Sequence, residues 1–173
     1  MKHKLPNRRP NRLRNYDYSS DGDYFVTICA KDRKELFGHI AGDVIDDLCS
    51  KVILSEIGEV IENAIHQIPT HYPMIAVEHH IVMPNHVHVI LEIEKHDMTE
   101  DGRLIIAPTI SVVVKEMKSY VTKMLGFSPW QKSFHDHIIR DEEDYFRIVK
   151  YIHDNPSKWE DDCFYIPPRH VVS

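Results

Sequence analysis

Two apolar runs, Met74–Met83 and His86–Ile93, flank the dipeptide Pro84-Asn85, and no other stretch of this chain restricts its fold so much. Each run has the length of a strand, and the dipeptide between them favours a turn, so the pair predicts an antiparallel hairpin. Side chains alternate across a strand. Val87, Val89, Leu91 and Ile93 therefore form one apolar face, while His86, His88, Ile90 and Glu92 point the other way.

Tyr24 to Ala30 is β-branched, aromatic or small and reads as a central strand. From Gly42 to about Gln67 the apolar residues fall at helical spacing, with a break near Ser55 or Gly58, and Pro69 to Pro73 separates this stretch from the hairpin. Residues 95–107 read as a connection. A second helix is predicted from Thr109 to Leu125, stopped by Gly126. Trp130 to Ile139 is a further strand candidate. Asp141 suits the N-cap of a last helix, Glu142 to Asn155, whose acidic first turn complements the helix dipole. Pro156 is expected to push Asn155 out of helical geometry and end that helix. Strand, helix, strand, strand, helix, strand, helix approximates a ferredoxin-like α+β sandwich, an antiparallel central sheet with helices packed on one face. The 173 residues suffice for one such domain.

The sheet face opposite the valines carries the chemistry. A divalent cation needs ligands converging within about 2 to 2.5 Å, and two imidazoles two residues apart on a strand supply a pair of them. Among 13 histidines in 173 residues, about one His-x-His arises by chance, so the pair needs company. It comes from the last helix, where Tyr151 and Asn155 stand one turn apart on a shared face, able to bring a phenol and an amide oxygen to the same ion or phosphate. Tyr120 and Tyr145 also lie on predicted helices, but Met124 and Val149 occupy the positions four residues on. His135 and His137 form a rival pair on a predicted strand. His79 and His80 are adjacent, hence on opposite faces, and cannot chelate together. Cys29, Cys49 and Cys163 are odd in number, far apart and without ligand spacing, which fits a reducing compartment.

Charge is distributed unevenly. Lys2, Lys4, Arg8, Arg9, Arg12 and Arg14 place six of the 21 basic residues in the first 14 positions, leaving 15 basic against 27 acidic residues in the remainder, a net of minus 12. A basic arm over residues 1–18, kept irregular by Pro6 and Pro10, suits nucleic-acid phosphates, with the catalytic unit over 19–173. Lys115, Lys118 and His137 are further candidate DNA contacts, and Trp130 is a candidate for base stacking or for packing. No apolar run is long enough to span a membrane and no signal peptide is apparent, so a cytoplasmic protein is expected, nucleoid-associated when bound to DNA.

Several stretches taken in order resemble one family: Asn15-Tyr16-Asp17-Tyr18-Ser19, Tyr24–Cys29, Ile81-Val82-Met83-Pro84-Asn85-His86-Val87-His88, Phe134-His135-Asp136-His137-Ile138-Ile139-Arg140 and Tyr151-Ile152-His153-Asp154-Asn155-Pro156, with Trp159 after them. The chain is similar to the REP-associated branch of the single-tyrosine HUH transposases, although the family usually carries an aromatic where His135 stands. The resemblance implies the HUH endonuclease type of ferredoxin-like fold and a metal-dependent nicking and rejoining of single-stranded or hairpin DNA. Tyr151 would be the nucleophile, joined to a 5′ phosphate with release of a 3′ hydroxyl. His86, His88 and the Asn155 oxygen would hold Mg²⁺ or Mn²⁺, although imidazoles also accept zinc. A homodimer is compatible with the family. The alternatives are a non-catalytic DNA-binding or regulatory protein on the same fold, and a metal hydrolase using activated water.

Overall fold

The computed structural model describes residues 20–41, 51–94 and 108–167. Strand β1 (Gly22–Cys29) leads through a 3₁₀ turn, Lys31–Arg33, into a small antiparallel hairpin of β2 (Gly38–Ala41) and β3 (Lys51–Leu54). Then come α1 (Glu56–His66), the single turn α2 (Ile68–His71), β4 (Ile75–Val82), β5 (His86–Ile93), α3 (Ile110–Leu125), β6 (His135–Ile138), α4 (Glu142–Asp154) and a 3₁₀ segment, Pro156–Asp161.

The main sheet runs β4-β5-β1-β6, antiparallel throughout. This is the strand order of a ferredoxin-like sandwich, with the two βαβ crossovers interleaved. β5 occupies a central position, which is why six of its eight residues, His86 to Leu91 in sequence, are buried without interruption and Ile93 is buried as well. One face packs Tyr24, Val26, Ile28, Val87, Val89 and Leu91 against Ile61, Ala64 and Ile65 of α1 and Ile110, Val113, Val114, Met117 and Val121 of α3.

The other face is not bare. Ile90, Phe25 and Ile81 pack against Ile148, Val149 and Ile152 of α4. The helices thus lie on both faces, not on one as their order alone suggested. The reason is the length of α4's apolar stripe, which is narrow and matches the short apolar stretch of the histidine face, leaving the imidazoles beside it uncovered by aliphatic packing.

Three local expectations change. Residues 51–54 form a strand rather than the middle of a helix: Lys51-Val52-Ile53-Leu54 alternates, and Ser55 starts the helix by accepting from the Gly58 N–H while its hydroxyl donates to the Leu36 carbonyl. Gly58 permits this closeness, since a methyl there would overlap the Phe37 carbonyl. Residues 42–50, 95–107 and the arm with Arg8, Arg9, Arg12 and Arg14 lie outside the described residues. The strand expected from Trp130 shrinks to His135–Ile138, with Trp130 making one isolated bridge to Ala30. Finally, Asn155 keeps right-handed helical angles, φ −57° and ψ −44°, and the chain turns on into the 3₁₀ segment with Pro156 at its first position, where a missing N–H costs nothing.

Candidate metal and tyrosine site

His86, His88, Asn155 and Tyr151 converge on the α4 side of the sheet. The imidazole ring centroids of His86 and His88 are 4.4 Å apart, and that of His88 is 5.1 Å from the Tyr151 ring. Register explains the first pair and helix periodicity the second. Cys29 and Thr27 stand opposite His86 and His88 on β1, and Ile148 and Ile152 dock α4 so that the intervening Tyr151 and the following Asn155 turn toward the histidines.

Second partners decide what each ligand atom can do. The Asn85 amide nitrogen donates to the Arg33 carbonyl (3.1 Å) and the Phe164 carbonyl (2.8 Å), which fixes its oxygen toward His86 Nδ1 at 2.9 Å. An amide oxygen only accepts, so His86 carries its proton on Nδ1 and presents a bare Nε2. His88 Nδ1 lies 2.9 Å from the Thr27 hydroxyl, an arrangement that likewise directs Nε2 outward. Burial, with Arg33 adding to it, pushes the His86 pKa down to about 3; burial and the neighbouring His86 hold His88 well below its ordinary value. Both rings are neutral at physiological pH and offer lone pairs without competition from protons.

Asp162 is the residue that sequence reading missed. Its carboxylate accepts from the Tyr151 hydroxyl at 2.9 Å and from the Asn155 amide nitrogen at 2.7 Å. A carboxylate cannot donate, so the Asn155 oxygen is turned away from it. Among the described residues, three buried atoms in the site have no hydrogen-bond partner: His86 Nε2, His88 Nε2 and Asn155 Oδ1. Such orphans are costly in an interior, about 1–3 kcal/mol each, unless an ion satisfies them. Ligand atoms of His86, His88 and Asp162 lie within 4.8 Å of one another. Two imidazole nitrogens with amide and carboxylate oxygens fit a divalent cation of the Mn²⁺, Mg²⁺ or Zn²⁺ type. No motif pointed to Asp162; the only signal was its place in the acidic run Glu160-Asp161-Asp162, seven residues beyond Asn155.

Tyr151 is 38 % exposed and borders a cavity of about 310 Å³ lined also by Arg147, Lys150, Lys158 and Asp162. Its phenol pKa is raised, first by burial and then by the hydrogen bond to Asp162. Tyr151 is therefore protonated at neutral pH, with Asp162 as the immediate acceptor of its hydrogen bond. Phe25 meets the Tyr151 ring edge-on at 6.3 Å, and the Phe164 ring lies 4.6 Å from His86.

The remaining candidates scatter. His137 shares the sheet face of Phe25 but bonds Asp144 of α4 at 2.6 Å and is half exposed. The His135 and His137 pair forms no ligand cluster with a third group among the described residues. His79 faces α4, its ring 5.5 Å from His153 and 6.2 Å from Tyr145, whereas His80 faces α1. Lys118 points its ammonium at the Gln131 and Ser133 carbonyls, over the Trp130 ring. Trp130 is buried against Phe37 and donates its indole N–H to the Lys118 carbonyl, so its role in the fold is packing. Lys115 is an exposed residue of α3, across the sheet from the histidines.

This arrangement has solved and sequenced counterparts. A structure described as a REP-associated tyrosine transposase bound to a REP hairpin superposes with a TM-score of 0.60 at 25% identity, covering 86% of this chain and 73% of that one. A Haemophilus influenzae protein named "Putative REP-associated tyrosine transposase" is 26% identical over 147 residues, 82% of this chain and 74% of its own length. In sequence and in fold the chain is similar to REP-associated tyrosine transposases. An uncharacterized protein of the same organism is 34% identical over 178 residues, 94% of this chain and 95% of that protein. No family model matches the sequence. The fold described above is that of the solved transposase, and the chain is related to proteins named as transposases. Among the described residues no helix is long and apolar enough to cross a membrane.

Proposed function

We propose that this protein nicks and rejoins single-stranded or hairpin DNA through a 5′-phosphotyrosine at Tyr151. The observation that carries the reading is a trio of buried atoms without a partner among the described residues, His86 Nε2, His88 Nε2 and Asn155 Oδ1, beside a phenol that opens onto a cavity. These atoms, with the Asp162 carboxylate, would hold Mg²⁺ or Mn²⁺, which supplies charge neutralisation and orientation of the scissile phosphate.

The chain's own groups account for the rest. The Tyr151 oxygen attacks phosphorus as its proton passes to the Asp162 carboxylate, 2.9 Å away. The new bond is phosphorus to phenol oxygen; the bond that breaks is phosphorus to the 3′ oxygen, which leaves with the electron pair and takes a proton from water as a 3′ hydroxyl. The phosphotyrosine conserves the bond energy, so a 3′ hydroxyl from the same or another strand can reverse the step and reseal DNA without ATP. Arg147, Lys150 and Lys158 rim the cavity, where Lys150 and Lys158 share Asp154 at 2.9 and 2.8 Å and could exchange it for phosphate. The basic arm over residues 1–18, with Arg8, Arg9, Arg12 and Arg14, supplies further phosphate contacts to the catalytic unit of 19–173; Lys115 and His137 are secondary contacts, and Lys118 acts chiefly on its own loop.

Incubation with a labelled hairpin oligonucleotide and Mn²⁺ is expected to give a denaturation-resistant protein–DNA adduct that Tyr151→Phe abolishes. Cleavage by that variant would assign the nucleophile elsewhere or to water, and binding without reaction in the wild type would support a regulatory DNA-binding protein.

A further inference from the structure

On the opposite side of the sheet, Glu62 and His66 stand one turn apart on α1 and face His80 of edge strand β4. His80 Nε2 lies 2.9 Å and His66 Nε2 3.3 Å from the same oxygen, Glu62 Oε1, and the three ligand atoms all fall within 4.8 Å of one another. The two rings are 5.0 Å apart and nearly perpendicular, with an angle of 89° between their planes. We propose that Glu62, His66 and His80 form a second divalent-metal site, of the zinc class, which clamps α1 to β4.

The donor set is that of a four-coordinate transition-metal site, two imidazole nitrogens and one carboxylate oxygen with one position left for water. Bonds of about 2.0–2.2 Å meeting at tetrahedral angles put neighbouring ligand atoms a little over 3 Å apart, close to the two separations seen here. Little movement is needed, because each backbone is already fixed. Ile61, Ala64 and Ile65 bury the inner face of α1 beside Glu62 and His66, and His80 pairs with Val89 in the sheet. Hydrogen bonding to His80 keeps the Glu62 carboxyl below its ordinary pKa, so it is an anion at neutral pH. His66 is 60% exposed at its side chain, which leaves an entry path and a place for the water ligand.

A β-bulge between Val77 and His79 gives the site its meaning in the fold. It turns His80 toward α1 while the adjacent His79 faces α4. A metal on His80 would hold the strand against which the tyrosine helix rests, in a place well apart from the phosphodiester chemistry.

The test uses untagged full-length protein carrying His86→Ala and His88→Ala, which removes the first candidate site. Titration with Co²⁺ is expected to give visible d–d absorption saturating near one equivalent, and Zn²⁺ at about a hundredfold over its dissociation constant to raise Tm by roughly 5–10 °C. Adding His66→Gln, an exposed substitution that leaves the fold intact, is expected to weaken binding by at least about tenfold and remove the Tm increment; His80→Gln should do the same. Absence of both signals in the first background, or their persistence when His66 and His80 are both replaced, overturns the site. Neither readout involves DNA, so the outcome is independent of whether Tyr151 forms an adduct.

Discussion

Acid should unfold the metal-free protein earlier than its carboxylates alone would cause, and the size of the effect follows from two buried rings. His86 protonates near 3 in the folded chain against an ordinary 6.5, and His88 is displaced in the same direction. Since both folded values lie below the unfolded ones, the unfolded chain binds protons that the native state refuses. Stability is complete above about pH 6.5 and falls as pH drops toward 3. At pH 5.5, one unit below the unfolded value, each ring costs about 1.4 kcal/mol, roughly 3 kcal/mol for the pair. Total stabilities run at about 5–15 kcal/mol, so that loss is large. The carboxyls held below their ordinary pKa, Glu62, Asp144 and Asp154, begin to matter only below pH 4.5, whereas Asp23 and Glu92, raised by burial and by neighbouring carboxylates, take up protons in the native state and oppose the histidine slope at the acid end of the window between 5 and 6.5. Urea denaturation in chelator at several pH values across that window should show a slope approaching two protons, which His86→Gln with His88→Gln removes. Saturating Mn²⁺ should shift the acid loss to lower pH, because the ion competes with protons for the same lone pairs. Equal slopes in wild type and double variant would show that the rings titrate freely in the native state, and the argument from burial would fail.

Further outcomes concern the residues around those rings. Asp162→Asn should lower the Tyr151 pKa toward its ordinary 10, read as tyrosinate absorbance, while slowing adduct formation by about 10²–10⁴ through loss of the proton acceptor; an unchanged rate would remove Asp162 from the chemistry. Asn85→Ala cuts three hydrogen bonds, to the Arg33 and Phe164 carbonyls and to His86, and should weaken Mn²⁺ binding by about 10–100-fold while costing about 1–3 kcal/mol in unfolding. Removing residues 1–14 deletes six basic residues and should reduce the salt slope of single-strand binding by up to about four, measured by fluorescence anisotropy.

Much of the layout was legible because it rests on local periodicity. The alternation of residues 86–93 assigned one face to the core and one to chemistry, and the spacing of Tyr151 and Asn155 gave their common helix face, neither of which depends on what packs nearby. Readings failed where two periods coincide or where a distant partner overrides a preference. Val52 and Ile53 suit helix and strand spacing alike, and only pairing with Ile40 and His39 of β2 decides for the strand. Pro156 disfavours helical angles at Asn155, yet the bond from Asn155 to Asp162 accompanies them.

By itself, then, the order of residues determined which side chains share a strand face, which share a helix turn, and where turns and caps fall, since these are consequences of backbone geometry within a few residues. Tertiary structure alone decided that α4 covers the histidine face, that Asp162 reaches both Tyr151 and Asn155, and that His80 meets Glu62 and His66 on the far side. Those meetings join side chains on different elements, and they depend on helix docking, on the turn after α4 and on a single bulge, quantities set by tertiary packing and not by any short pattern.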